Sequence, residues 1–363
     1  MKRIHDTLFV LLRSALRKEP SGGSALSSLT AQEWLAVYKL AARQGVLALA
    51  YDGLNALPAE LRPPRDVLFG WAVNVEKIET RYDRQTKAAR TLFRWCEERD
   101  LHPVLLKGIA LSRLYPIPEH RPCGDIDIYL GQRAPVFDEL MRRQGITVDA
   151  SGNEKHSVFV YRSVMVENHR TFLDTSLYGI DRMLEEYLLA QEVFSEEQSL
   201  DGMRFRVLPP TADALFLLRH TARHLERGIG LRHVCDWMLF VHANSVRIDW
   251  SEFDRYVDEL KLGTFYRILT GIATDCLGAR FESPVRSPHE KALQEKVLRY
   301  ILDYRAHAIR TRNPFGILRF KTARLIERRW VLRRVLHCSF AGHIWRSALT
   351  HLRNPGTIFD SKE

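Results

Sequence analysis

Two aspartates one residue apart, Asp125 and Asp127 in Gly124-Asp125-Ile126-Asp127-Ile128, have the residue types and spacing that could do chemistry in this chain. Side chains alternate along a strand, so both carboxylates project to one side about 7 Å apart, and Ile126 and Ile128 project to the other. Two acids on one face repel unless solvent or a cation separates them. Mg²⁺ takes one or two carboxylates together with substrate phosphates, a set this pair offers. A strand edge with a wet face would show the same alternation. A third acid would complete a two-ion site, because two ions about 4 Å apart need one shared carboxylate and another on the outer ion. Glu167, between Val166 and Asn168 on a later strand-like run, is the candidate, and Asp174 in Phe172-Leu173-Asp174-Thr175 is its rival.

Upstream, Leu105-Leu106-Lys107-Gly108 is an apolar run ending in a glycine turn before a short helical pattern. Unsatisfied N–H groups and the macrodipole at a helix start attract phosphate, Gly108 allows close approach to the backbone, and Lys107 can neutralise charge. An ordinary turn reads the same way. Arg121, Arg219, Arg223 and Arg232 are further cations that could reach a triphosphate or pair on the surface. His220 and His224 stand four apart on one helix face, a spacing compatible with metal, helix packing or contact with a nucleotide or acceptor. The glutamate that a helical zinc-protease motif requires is missing there. His169, two residues after Glu167, either orients an acceptor or closes the strand.

The elements that must position these residues are legible from periodicity. Residues 5–19 and 31–57 carry apolar positions at helical spacing, separated by the Gly22-Gly23-Ser24 turn, with Thr30 and Glu33 spaced for a capping box. A long amphipathic helix follows from Asp66 to Asp100. Val104-Leu105-Leu106 reads as a strand, Ile109–Tyr115 as a helix, Asp125–Leu130 as a strand and Ala134–Arg143 as a helix. Ser157–Tyr161 and Val164–His169 read as antiparallel strands joined at Arg162-Ser163. From about Asp181 onward the pattern is helical, with a strong helix from Pro210 through Leu225. The fold class expected is therefore α+β. A small mixed-sheet core over 101–180 is flanked by an N-terminal helical region, 1–100, and a C-terminal helical domain with a basic tail, 181–363.

A length of 363 residues and a 45% apolar composition allow a sizeable core. No apolar run is long enough to span a bilayer. Met1-Lys2-Arg3 with Leu8–Leu12 superficially resembles a signal peptide, but Arg13 and Arg17 follow at once and an amphipathic helix is the better reading. Five cysteines, Cys96, Cys123, Cys235, Cys276 and Cys338, lack CxxC spacing and fit a reducing cytoplasm better than a disulfide framework. Of the net charge of +10, the stretch Arg299–Arg353 supplies 13 lysines and arginines against two acids, a local +11. Such a stretch attracts nucleic acid or anionic partners, or is a solvated face with buried stems.

Taken together, the strand, glycine turn, helix, Asp-x-Asp strand and later strand acid resemble the polymerase-beta-like nucleotidyltransferase superfamily. More closely, Leu105-Leu106-Lys107-Gly108 with Leu114-Tyr115-Pro116, Arg121 and Gly124-Asp125-Ile126-Asp127 is similar to its uncharacterised bacterial nucleotidyltransferase family. Val166-Glu167-Asn168-His169 is similar to that family's strand ending in Glu-x-His, and His220, His224, Arg232 and Cys235-Asp236-Trp237 are similar to its C-terminal part. The resemblance implies transfer of a nucleoside monophosphate from an NTP, ATP among them, to an acceptor hydroxyl, with pyrophosphate released. It implies Mg²⁺, two ions, with Mn²⁺ as a substitute. Asp125, Asp127 and Glu167 would be the catalytic and metal-binding acids, and Lys107, Gly108, Arg121, Arg223 and Arg232 the nucleotide-binding residues. The superfamily's Gly-Ser turn is Lys107-Gly108-Ile109 here, so the serine contact to phosphate is absent and Lys107 and Arg121 are the candidate substitutes. That departure motivates an alternative, a nucleotide-binding scaffold without turnover. The basic stretch motivates another, an RNA- or tRNA-modifying enzyme of toxin type. The acceptor could be a small molecule, peptide, glycan or RNA.

Overall fold

The computed structural model describes residues 2–17, 28–150, 155–175, 179–225, 228–281, 284, 286–303, 313–339 and 342. Helices α1 (Lys2–Arg17), α2 (Ala31–Arg43), α3 (Leu47–Leu54) and α4 (Arg65–Glu97) precede the first strand, β1 (Val104–Leu106). Then come α5 (Gly108–Ser112), β2 (Ile126–Tyr129), α6 (Ala134–Arg143), β3 (Val148–Asp149), β4 (His156–Tyr161) and β5 (Val164–His169). After these follow α7 (Ile180–Glu192), the hairpin β6 (Glu196–Leu200) and β7 (Met203–Val207), and helices α8 (Pro210–Leu225), α9 (Leu231–Asn244), α10 (Trp250–Glu259), α11 (Gly263–Leu277), α12 (Pro288–Asp303) and α13 (Pro314–Arg334). The architecture is α+β, as the sequence indicates.

One seven-stranded mixed sheet, in the order β3-β4-β5-β2-β1-β7-β6, organises the molecule. β2 runs antiparallel to β1 and parallel to β5, with Asp127 in register with Glu167. The β4–β5 hairpin sets His156 opposite His169. Its two turn residues, Arg162 and Ser163, both have positive φ, 48° and 63°, as a twist-matched two-residue turn requires.

The two faces of the sheet carry different cores. Leu105, Ile126, Ile128, Phe159 and Val166 pack with Leu92, Phe93 and Cys96 of α4 and with Phe137 and Met141 of α6. Val104, Leu106 and Tyr129 face the other way, into a larger core with α1–α3 and α7–α12. The 33-residue α4 contributes Trp71 and Val75 to the larger core and Tyr82 through Cys96 to the smaller one, so a single helix joins them. Asp127 alternates with Ile126 and Ile128, which places it on the face of the larger core.

Several expectations are met closely. The Thr30–Glu33 capping box forms, with the Glu33 amide donating to Thr30 Oγ1 at 3.3 Å and the Thr30 amide donating to Glu33 at 2.8 Å. The segment that resembles a leader is α1, with Leu8, Leu11 and Leu12 fully buried. Other elements differ. The 31–57 stretch is two helices, broken at Gly45 with φ +68°. The region after Asp181 is not wholly helical, because β6 and β7 form a hairpin whose β7 pairs with β1 and completes the sheet. The turn there is Asp201-Gly202, both at positive φ, and Asp-Gly between alternating runs is the local signal for such a hairpin. The expected helix after Gly108 is only five residues long. Of the basic stretch, 304–312, 340, 341 and 343–353 lie outside the described residues, as does the Gly22-Gly23-Ser24 turn.

Candidate active site

Register builds the acidic cluster. The parallel pairing of Asp127 with Glu167 puts their side chains on one face of adjacent strands, and Asp125 stands two residues before Asp127. One carboxylate oxygen from each of Asp125, Asp127 and Glu167 lies within 4.8 Å of the others. Asp174 is outside this group; its carboxylate lies 3.4 Å from Arg223 Nη2. Burial, then the neighbouring Asp127, pushes the Asp125 carboxyl up to about 6. Asp127 is held well below the usual carboxylate range. Burial opposes its ionisation, but Lys107 and His169 together outweigh burial.

The contacts behind that balance are short. Lys107 Nζ lies 2.9 Å from Asp127 Oδ1, and His169 Nε2 lies 3.1 Å from the same oxygen and 3.4 Å from Glu167 Oε2. His156 Nε2 is 3.8 Å from Glu167 Oε1. Lys107 reaches inward from a backbone at φ 41°, ψ −143°, a region that residues with a Cβ rarely enter and that costs on the order of 1–3 kcal/mol. Gly108 follows at φ +46°. The strained turn aims the ammonium at the acids. Lys155 is a second cation here: burial, then Lys107 and Arg223, brings its ammonium down to about 8.

The opposite strand face explains why the acids stay in place. Asp138 of α6 accepts from Ser157 Oγ at 2.6 Å and Asn168 Nδ2 at 2.8 Å, and pairs with Arg170 at 3.2 Å. Those residues flank His156, Glu167 and His169 in sequence, so a buried network centred on Asp138 pins β4 and β5 from behind.

The helical wall contributes imidazoles. The His220 and His224 ring centroids are 4.3 Å apart, and His224 and His233 are 6.1 Å apart. His220 is driven well below its ordinary value by burial, then by Lys107 and His224, so it lies within electrostatic reach of the Lys107 end of the site. Burial and Arg232 bring His233 down to about 3.

The four arginines that could reach a triphosphate, Arg121, Arg219, Arg223 and Arg232, have partners within the protein. Arg121, 4 % exposed, donates from Nε and Nη2 to the two oxygens of Asp236 at 2.8 and 2.9 Å and from Nη1 to Cys123 Sγ at 3.1 Å. Tyr115 completes that knot by donating to Asp236 at 2.7 Å. Arg121 thus ties the loop carrying the aspartates to α9. Arg232 Nη1 donates to the Pro122 carbonyl at 2.9 Å, tying the same loop to α9. Arg223 pairs with Asp174, and Arg219 forms a buried two-point pair with Asp181 at 2.6 and 2.9 Å.

A family model described as uncharacterised nucleotidyltransferase matches residues 30–278, more than half of the chain. The chain belongs to this family. Among solved structures, an antigenic nucleotidyltransferase-like protein from Paracoccidioides brasiliensis is similar over 55% of this chain and 94% of that one, at 10% identity and a TM-score of 0.35. No curated protein matches the sequence.

Nucleotidyltransferases generally use divalent metals, and the donor set fits one. Three buried or half-buried carboxylates converge, and the proton retained by Asp125 up to about 6 reflects burial first and the neighbouring Asp127 second, both of which a bound cation would offset. Burial pushes the Cys123 thiol up, which suits a packing residue rather than a nucleophile. Among the described residues no helix is long and apolar enough to cross a membrane. Two residues beside the acidic cluster escape motif reading, Lys155 and His156. A signal for His156 does exist. A two-residue turn at Arg162-Ser163 fixes Tyr161 opposite Val164, and counting back pairs His156 with His169.

Proposed function

We propose that the protein moves a nucleoside monophosphate from an NTP to an acceptor hydroxyl, with Asp125, Asp127 and Glu167 as the metal-binding and catalytic residues. The observation carrying this reading is the cross-strand convergence of Asp125, Asp127 and Glu167 within 4.8 Å. Mg²⁺ there, two ions at full occupancy or Mn²⁺ in its place, supplies charge neutralisation at the transferred phosphorus and acidifies the acceptor hydroxyl. Asp125 and Asp127 hold the metal from one strand. Glu167, ionised at neutral pH and held below the usual range by His169 against the pull of burial, faces the acceptor side and accepts its proton.

Lys107 and Lys155 bind the triphosphate. Lys107 releases Asp127 as nucleotide and metal enter and moves its charge to phosphate. The five-residue α5 contributes little macrodipole, so the positive charge at the phosphate end comes from these lysines, and Gly108 lets the chain approach closely. Arg223, half-buried and 3.4 Å from Asp174, would exchange that partner for the phosphate tail. Unpaired cysteines fit action in the cytoplasm.

The test is incubation of the purified protein with each α-labelled NTP and cell extract, followed by mass spectrometry of labelled products. Label transferred by the wild type and lost in Asp125→Ala/Asp127→Ala supports the reading, and full activity in that double variant sinks it. Nucleotide and Mg²⁺ binding by calorimetry without pyrophosphate release would instead indicate a scaffold. The basic helix α13, with Arg328, Arg329, Arg333 and Arg334, favours RNA among acceptor classes. An RNA complex would weaken steeply with salt, and absence of a gel shift at low salt would direct the search to small-molecule, peptide or glycan hydroxyls.

A further inference from the structure

Glu167 stands between two donor sets, and only one of them is acidic. Beside it stand two imidazoles. His169 Nε2 is 3.4 Å from Oε2, His156 Nε2 is 3.8 Å from Oε1, and the ring centroids are 5.0 Å apart. One donor atom from each of the three residues lies within 4.8 Å of the others. We propose that His156, Glu167 and His169 form a second cation site, sharing Glu167 with the acidic one, that takes a first-row transition ion such as Mn²⁺, Co²⁺ or Zn²⁺ in preference to Mg²⁺. This deepens the metal-dependent reading above and rests on it only through Glu167.

The geometry carries the proposal in three ways. Ligand atoms about 2.1 Å from a common ion sit ~3.0–3.4 Å from one another, and the two imidazole–carboxylate separations, 3.4 and 3.8 Å, already lie at or near that range, with all three donors within 4.8 Å. The three residues stand on two strands of one hairpin, with His156 directly opposite His169, so the set is held by backbone pairing and by the Asp138 network behind it. Sites on strands hold their geometry better than sites on loops. Third, the ring edge that would hold the ion already faces carboxylates in a closed setting: His169 is 1 % exposed, and its Nε2 lies 3.1 Å from Asp127 Oδ1 and 3.4 Å from Glu167 Oε2.

Ligand chemistry sets the preference. Mg²⁺ favours an all-oxygen shell and keeps several waters, whereas imidazole nitrogen suits the later first-row ions. Two imidazoles and one carboxylate leave coordination positions open, so a nucleotide phosphate or acceptor oxygen can complete the shell. The shared carboxylate makes occupancy of the two sites interdependent, the acidic side suited to Mg²⁺ and the imidazole side to the softer ion.

Pulsed electron paramagnetic resonance of Mn²⁺ bound to the full-length protein tests this directly, alongside Co²⁺ titration by visible absorption. The expected result is nitrogen hyperfine coupling from a directly bound imidazole. In His156→Gln the Co²⁺ affinity should fall by at least about tenfold, the lower end of what losing even an outer partner of a metal site costs. Circular dichroism of the variant confirms its fold, and because His156 is partly exposed, it carries the test should His169→Gln fail to fold. Mn²⁺ bound by oxygen alone, or unchanged Co²⁺ affinity in His156→Gln, overturns the proposal. Nucleotide transfer with Mg²⁺ and no nitrogen coupling sinks this site and leaves the transfer reading standing. Nitrogen coupling with no transfer to any acceptor supports the site and counts against transfer.

Discussion

Two charge-rich regions lie within the same loop-and-strand stretch, and they are built on opposite rules. Around Arg121, each charge is matched: Asp236 accepts from Arg121 at both oxygens and from Tyr115, and Arg232 ties the adjacent carbonyl. Around Asp127, charges are mismatched: three carboxylates converge, Asp125 retains its proton up to about 6, and Lys155 loses its own at about 8. The Arg121 knot is buried, and the acidic cluster is buried at Asp127 and half-buried at Asp125 and Glu167, but the sharper difference is saturation. A saturated ionic knot fixes a loop, whereas like charges packed together store an attraction for ligands of opposite sign.

The largest effect expected is in the mismatched region. Asp125→Asn/Asp127→Asn should lower transfer by at least ~10³-fold, because the groups that hold the metal at the transferred phosphorus are gone. Its thermal midpoint should fall only modestly, since the amide at 125 relieves repulsion while the amide at 127 leaves Lys107 and His169 without their carboxylate. A large drop in melting temperature would show that the acids are structural and would erase the contrast. In the matched region the order reverses. Arg121→Met leaves Asp236 buried without its cation, which costs about 3–5 kcal/mol of stability, read by urea denaturation. If the variant instead keeps its stability and raises KM for NTP, then Arg121 belongs to the nucleotide after all.

A smaller effect sharpens the phosphate side. Lys155→Met removes a charge-assisted contact worth roughly 1.5–3 kcal/mol, about 10–100-fold in NTP affinity, with little loss of fold. Steady-state kinetics at saturating and limiting NTP should show the change in KM more than in kcat, and a kcat-only loss would place Lys155 at the acceptor instead. The smallest effect concerns His120, a matched group beside the Arg121 knot. Its Nδ1 lies 2.8 Å from Asp52 and its Nε2 2.8 Å from Glu79, joining the loop to α3 and α4. Burial lowers its proton affinity, but the two carboxylates outweigh burial and raise it above the ordinary 6.5. The stability it adds is therefore complete below pH ~6.5 and fades as pH climbs through the raised folded value. His120→Gln should flatten that segment of the stability–pH curve, and an unchanged slope would show that the ion pairs contribute nothing.

Local pattern alone determined much of the scaffold. The Thr30–Glu33 cap, the long α4, the β1 turn, the Asp-x-Asp strand and the β4–β5 hairpin all follow from periods of 3.6 or 2 and from turn residues, because each depends on neighbours within a few positions. Asp125 and Asp127 were legible for the same reason, and Glu167 was a candidate through its place on an alternating strand. The β6–β7 hairpin was missed despite its Asp201-Gly202 turn, because its strands, Glu-Glu-Gln-Ser-Leu and Met-Arg-Phe-Arg-Val, carry little apolar signal on the first side.

What only the tertiary structure decided are the pairings between distant segments. The parallel register of β2 with β5 brought Asp127 beside Glu167, and β7 was brought beside β1. Arg121 met Asp236 across 115 residues, a pairing that no local pattern announces. No local preference encodes such meetings. They are set by which apolar faces must be buried together, and the loop-closure entropy they cost grows only slowly with separation. The sequence therefore named the acids and the lysine, and the packing of the sheet against its helices decided which charges are spent on one another and which face a ligand.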